Sequence, residues 1–214
     1  MDLMRAIKNF DICEAEKIIK EQLEHRPEDI QLWFKLSLAE LQYPLKDYIG
    51  ALKCVDEIYK LSRNNLDALI LESGIKWHNR FIDDELFERL SKAKTGNKNK
   101  QAIIYYLQSL YYRVKEDIEN QKICLEKSIM LCNEFVYPYE ALGYILLSES
   151  KINESKKMFQ NAFLNVKKVY QADDLFDFTD LDVYVEEFIT GTTISELNYN
   201  FIRELAQDWK VAGY

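Results

Sequence analysis

Two histidines, four cysteines and a run of carboxylates are the residues of this chain whose types could do chemistry. His25 and His78 lie far apart in the sequence. Cys13, Cys54, Cys124 and Cys132 form no Cys-x-x-Cys pair and have no histidine nearby at zinc-ligand spacing. Cys124 and Cys132 fall on one expected helix but stand too far apart to bridge within it. All four read as small, buried, reduced apolar residues. No glycine-rich phosphate loop follows a strand, and neither a Gly-x-Ser-x-Gly elbow nor a His-Glu-x-x-His pair occurs. Glu186 and Glu187 are consecutive, so they cannot face each other on a helix. The acidic run also lacks the Asp-x-Asp-x-Asp-Gly pattern of a calcium loop. These residues predict a non-enzymatic chain with no catalytic group, no metal and no cofactor.

The carboxylates matter through where they sit. Residues 170–202 carry Asp173, Asp174, Asp177, Asp180, Asp182, Glu186, Glu187 and Glu196 and no lysine or arginine. That segment alone accounts for the net charge of −8 of the whole chain, so the rest is neutral. Such a segment is either a solvated face or a docking surface for a basic protein, with Asp173, Asp174, Asp177, Asp180 and Asp182 as its contacts. An acidic inhibitor occupying the positive site of a nuclease-type toxin is one version of the second reading. A neutral-to-acidic chain is poorly suited to gripping phosphate backbones, so nucleic acid is an unlikely partner.

The elements that must position these residues are helical. An apolar share of 48% supports a substantial core, while 6 glycines and 3 prolines are too few for a tightly turned sheet protein. Tyr105, Tyr112, Leu125, Ser128 and Ile129 recur 34 positions later as Tyr139, Leu146, Phe159, Ala162 and Phe163. That period in helix-forming sequence marks stacked helix–turn–helix repeats. It predicts repeats over 102–135 and 136–169, with Tyr105 and Tyr112 in the core and Gly143 where helices approach most closely. Earlier pairs follow in looser phase. Short helices are expected near 2–10 and 12–25, with Ala15, Ile19 and Leu23 on one face. A pair from Ile30 to Ser62 follows, its inter-helix turn at 42–46 about two residues long in excess. In a degenerate third pair, Leu86, Leu90 and Ala93 mark the second helix and Gly96 suits a left-handed C-cap. Asn64-Asn65 caps its first helix, and residues 77–81 form an irregular junction. The tail predicts a helix or extended piece over 171–188. Thr193-Ile194-Ser195-Glu196 then reads as a capping box opening an amphipathic helix over 193–209.

This pattern resembles the tetratricopeptide repeat family. A large residue (Trp33, Tyr139) is followed three positions on by leucine (Leu36, Leu142), then by a small residue (Ser37, Gly143). A stripe on the second helix follows (Phe159, Ala162), and Pro27 closes the first unit. The resemblance covers residues 1–169, and 170–214 form an acidic segment plus a capping helix of the same domain. It implies an all-α fold, a right-handed superhelical array of antiparallel helix pairs whose first helices line a concave face. Mapped residue by residue, that face includes Phe34, Leu38, Leu69, Lys76, Trp77, Tyr106, Leu110, Arg113, Tyr144 and Leu147. Lys76 and Arg113 occupy equivalent positions where family members can clamp a carboxylate. The asparagines that complete such a clamp are missing, with Leu69, Ser73 and Leu110 at the candidate positions.

The expected function is therefore protein or peptide binding by an apolar, aromatic groove and an acidic C-terminal surface. An immunity-like toxin inhibitor and an RNA-binding helical repeat are the alternatives, the latter disfavoured by acidity. Three other occupants compete for the groove residues: the chain's own C-terminal helix, the repeats' own packing, and a homodimer partner. No stretch approaches the ~20 apolar residues of a membrane span, and the charged N-terminus does not read as a secretory signal. A cytoplasmic protein is expected.

Overall fold

Aspartate and asparagine set where the helices begin. Asp2, Asp11, Asp47, Asp83, Asn97 and Asp117 each accept a backbone N–H three residues on, at 2.7–3.1 Å. Asn65 caps the amide of Ala68 at 3.0 Å, as its place in the sequence predicts. Each such cap is worth about 1 kcal/mol, because it satisfies an amide that the helix itself leaves unpaired.

The computed structural model describes residues 2–78, 83–169 and 177–190. No strand occurs among them, and the fold is all-α. The chain divides into two compact units, Met1–Phe81 with Asp174–Tyr184, and Ile82–Asp173 with Val185–Tyr214.

In the first unit α1 (Leu3–Lys8), α2 (Ile12–His25), α3 (Ile30–Leu41), α4 (Tyr48–Leu61) and α5 (Leu66–His78) pack in chain order, each on the next. Ala15, Ile19 and Leu23 are buried with Leu32, Leu36 and Ala39, as the stripe on α2 requires. A second cluster joins Phe34 and Leu38 of α3 to Ala51, Val55 and Ile58 of α4 and to Ala68, Leu71 and Ile75 of α5.

The second unit stacks α6 (Asp84–Lys92), α7 (Lys98–Val114), α8 (Ile118–Leu131), α9 (Val136–Ser148) and α10 (Ile152–Val169), again in chain order. Buried serines stitch the pairs together. Ser128 donates to the Ala102 carbonyl at 2.8 Å and Ser155 to that of Gly143 at 2.7 Å; Ser37 does the same to Ala51 in the first unit at 3.0 Å. A small side chain is needed there because the backbones lie close, and its hydroxyl spends itself on a carbonyl.

The turns inside the pairs share one device. Phe10, Glu116 and Ser150 have φ of 52°, 59° and 61°. Each donates its N–H to a carbonyl three residues back (Ile7, Arg113, Leu147), and the next residue donates to one five back (Ala6, Tyr112, Leu146). This is a left-handed C-cap made without glycine. Glu116 and Ser150 stand one repeat period apart. The α3–α4 connection, residues 42–47, is longer than its counterparts 9–11, 115–117 and 149–151, as its sequence predicts. It carries the fourth such residue, Lys46, at φ 45°.

Several expectations are corrected. Gly96 is not a left-handed cap: α6 already ends at Lys92, and Ala93, expected inside that helix, is its extended C-cap. Cys13 is exposed and Cys132 half-buried; only Cys54 and Cys124 are buried. Tyr105 and Tyr112 are half-buried, while their neighbour Tyr106 is 4% exposed, because α7 turns Tyr106 toward the aromatic cluster of α9. In the tail, a turn at 177–180 precedes α11 (Leu181–Thr190), which contributes to the first unit up to Tyr184 and to the second from Val185. The irregular junction beyond His78, the stretch 170–176 and the expected final helix over 193–209 lie outside the described residues.

Candidate partner-binding surface

The first helix of each pair carries the mapped binding residues, and in the first unit the chain covers them itself. Phe34, Leu38 and Leu69 are buried. Leu181 and Tyr184 of α11 pack against the cluster holding Phe34 and Leu38, and Phe178 enters the neighbouring core beside Phe10, with ring centroids 6.3 Å apart. A buried residue offers no surface to a guest, so these three leave the open map. Lys76 is half-buried, and its Nζ lies 2.7 Å from Glu72 Oε1. Glu72 Oε2 also accepts the Tyr59 hydroxyl at 2.8 Å. An ammonium already neutralised by a buried carboxylate is a poor clamp for an incoming one. Trp77 is half-buried at the end of α5.

The second unit divides its mapped residues differently. Tyr106 and Leu110 are buried. Tyr106 stacks on Tyr137 at 5.5 Å and meets Phe135 edge-on at 5.1 Å, so it belongs to the α7–α9 core. Arg113 is exposed, and Tyr144 and Leu147 are 40% and 41% exposed. Tyr144 rests its ring edge-on against Phe159 at 5.0 Å, which holds it in place while leaving its outer edge in water.

Between these groups stands Glu140, one turn from Tyr144 on α9. Burial lifts its carboxyl to about 7, against the pull of the Arg113 guanidinium. Its charge is felt by both Tyr106 and Tyr144, and burial together with that charge pushes the Tyr144 phenol up to about 12. Glu140 makes no hydrogen bond or ion pair among the described residues. The charged form is therefore poorly solvated, and the folded chain prefers the proton. Because the folded value exceeds the ordinary 4.5, stability is greatest below that value and falls as pH rises toward and through 7. Glu140→Gln, a mimic of the protonated form, should raise stability at pH 8 by on the order of 2–3 kcal/mol. It should also flatten the slope of urea midpoint against pH between about 5 and 8. An unchanged slope would mean that Glu140 is well hydrated. The sequence places Glu140 on this face, but its burial comes only with the tertiary structure.

The acidic segment is partly spent on its own backbone. Asp177 Oδ1 accepts the Thr179 amide and hydroxyl, each at 2.8 Å, and Asp180 Oδ1 accepts the Asp182 amide at 2.8 Å at the start of α11. Asp180 and Asp182 are exposed. Asp173 and Asp174 lie outside the described residues. No group of three or more potential metal ligands occurs among the described residues, and no helix there is long and apolar enough to cross a membrane.

Helix pairs in a 34-residue register, joined by three-residue left-handed turns, make this a tetratricopeptide-repeat-like helical-repeat fold. Solved structures of MamA share it. MamA 41-end from Desulfovibrio magneticus RS-1 aligns at a TM-score of 0.61 and 20% identity, over 80% of this chain and 93% of that one. A crystal structure of MamA aligns at 0.60 and 19%, over 80% and 99%, and a double mutant of MamA RS-1 at 0.61 and 20%, over 80% and 93%. At such identities the likeness is one of fold. No protein-family model matches the chain, and no curated protein matches it.

Proposed function

We propose that this chain is a non-enzymatic binding module for a protein or peptide segment, and that the α7–α9 face of the second unit is its docking surface. The observation that carries this reading is the pairing of Tyr144 and Leu147, apolar and exposed on one turn of α9, with Glu140 and the exposed Arg113 beside them. A large aromatic fixed by a buried neighbour loses little entropy on binding, which suits it to anchor a guest. In the first unit, taken by itself, Lys76 and Trp77 are mapped residues that stay half-buried. The exposed carboxylates Asp180 and Asp182, in the first unit, form an acidic surface of their own, which would speed encounter with a basic partner.

The test is comparative capture from the source cell. Purified wild-type chain, the Tyr144→Ala/Leu147→Ala double variant and a control variant, Ile49→Ala, serve as baits. Ile49 is 70% exposed on α4, so it controls for loss of any surface apolar group. A partner retained by wild type and Ile49→Ala and weakened at least tenfold by the double variant is the expected outcome, with helicity unchanged in all three. Equal capture by all three baits would remove the α7–α9 face from the proposal.

A further inference from the structure

The second unit contains a hollow that the repeat pattern does not call for. It measures about 620 Å³ and lies among α6, α7, α8 and the connector after α6. Its origin is local. α6 has 9 residues where the second helices α4 and α8 have 14, so its final turn is replaced by the connector over 93–97. The connector replacing that turn is pinned: the Thr95 amide donates to Gln101 Oε1 at 3.0 Å, and the Asn97 amide to Thr95 Oγ1 at 3.2 Å. Gln108 Nε2 donates to the Leu90 carbonyl at 2.9 Å, tying α7 to α6. The walls are thus held by bonds that use up these amides. A hollow of this size falls within the ~300–1,000 Å³ typical of small-molecule sites.

What remains unspent is positive. Lys94 and Lys127 line the hollow, and among the described residues no aspartate or glutamate does, in a chain with 36 acidic against 28 basic residues. Neither lysine makes an ion pair among the described residues. The Lys127 ammonium sits 5.5 Å from the Tyr105 ring centroid, held against the wall by the ring face. The rest of the lining is mainly apolar and aromatic, with Phe87, Tyr112 and Leu131 inside and Met130, 85% exposed, at the rim.

We propose that this hollow binds a small amphipathic carboxylate, its apolar chain against Phe87, Tyr105, Tyr112 and Leu131 and its carboxylate between Lys94 and Lys127. The site is separate from the α7–α9 face and stands whether or not that face binds a protein. Two cations beside an aromatic wall favour an anion with an apolar body, since the head pairs with charge while the chain leaves water.

Decanoate is the probe, titrated into the full chain below its aggregation limit at neutral pH, with decanol as the uncharged control. The chain has four methionines, so methyl-labelled methionine gives four NMR signals, and Met130→Leu identifies the one at the rim. Saturable decanoate binding that shifts the Met130 signal, at least tenfold tighter than decanol, is the expected result. Lys94→Gln/Lys127→Gln should weaken decanoate binding at least tenfold and leave decanol unchanged, while Lys127→Arg retains binding. Both lysines are on the surface of the fold, so circular dichroism of the variants should match wild type. No shift at Met130, a shift equal for decanoate and decanol, or full binding by the double variant would each overturn the proposal.

Discussion

Gly143→Leu is expected to destabilise the second unit by about 3 kcal/mol, read as a fall in the urea midpoint. A Cβ on Gly143 would lie 2.8 Å from Cε2 and Cζ of Phe159. Phe159 cannot withdraw, because it is 1% exposed and its ring is braced by Tyr144. The helices cannot part either without breaking the 2.7 Å bond from Ser155 to the Gly143 carbonyl. Alanine is a weaker test, since its better helix propensity returns about 1 kcal/mol of the clash. Leucine adds bulk with nowhere to go. Combined with Phe159→Ala, the leucine gains room, so the double variant should be more stable than the two losses summed, by at least about 1 kcal/mol. Simple additivity would mean that the two residues do not meet.

Tyr106→Ala is expected to cost about 3–5 kcal/mol, through the cavity left by a fully buried ring and the loss of its packing on Tyr137 and Phe135. Tyr144→Ala, at a residue 40% exposed, should cost far less and act on binding instead. The sequence mapping places both tyrosines on one binding face, so the contrast between them is sharp. Comparable stability losses at the two positions would show that Tyr144 is as much core as Tyr106, and would take the anchor out of the proposed docking surface.

The fold was largely legible, and particular residues show why. Ala15, Ile19 and Leu23 mark the buried stripe of α2, and Tyr139, Leu142 and Gly143 mark the packed face of α9. A helix repeats every 3.6 residues through bonds made within itself, so its buried face is written in nearby residues. The turns were less legible. Phe10, Glu116 and Ser150 take the left-handed conformation without being glycine, whereas Gly96, the residue suited to it, does not. Side-chain type is a weak guide where tight helix-to-helix packing dictates the backbone.

The binding surface was the least legible part. Phe34 and Leu38 sit on the first helix of their pair, as the resemblance maps them, yet Leu181 and Tyr184 cover their cluster. Leu110 and Tyr144 stand one 34-residue period apart on α7 and α9, but only Tyr144 reaches water. By itself the sequence determined the helices, their pairing and their register, because these follow from contacts between near neighbours in the chain. The tertiary structure alone decided which apolar residues stay open, how far Glu140 is desolvated, and that a short α6 leaves a hollow beside two lysines. Accessibility depends on what distant segments lay over a residue, and no local period records that.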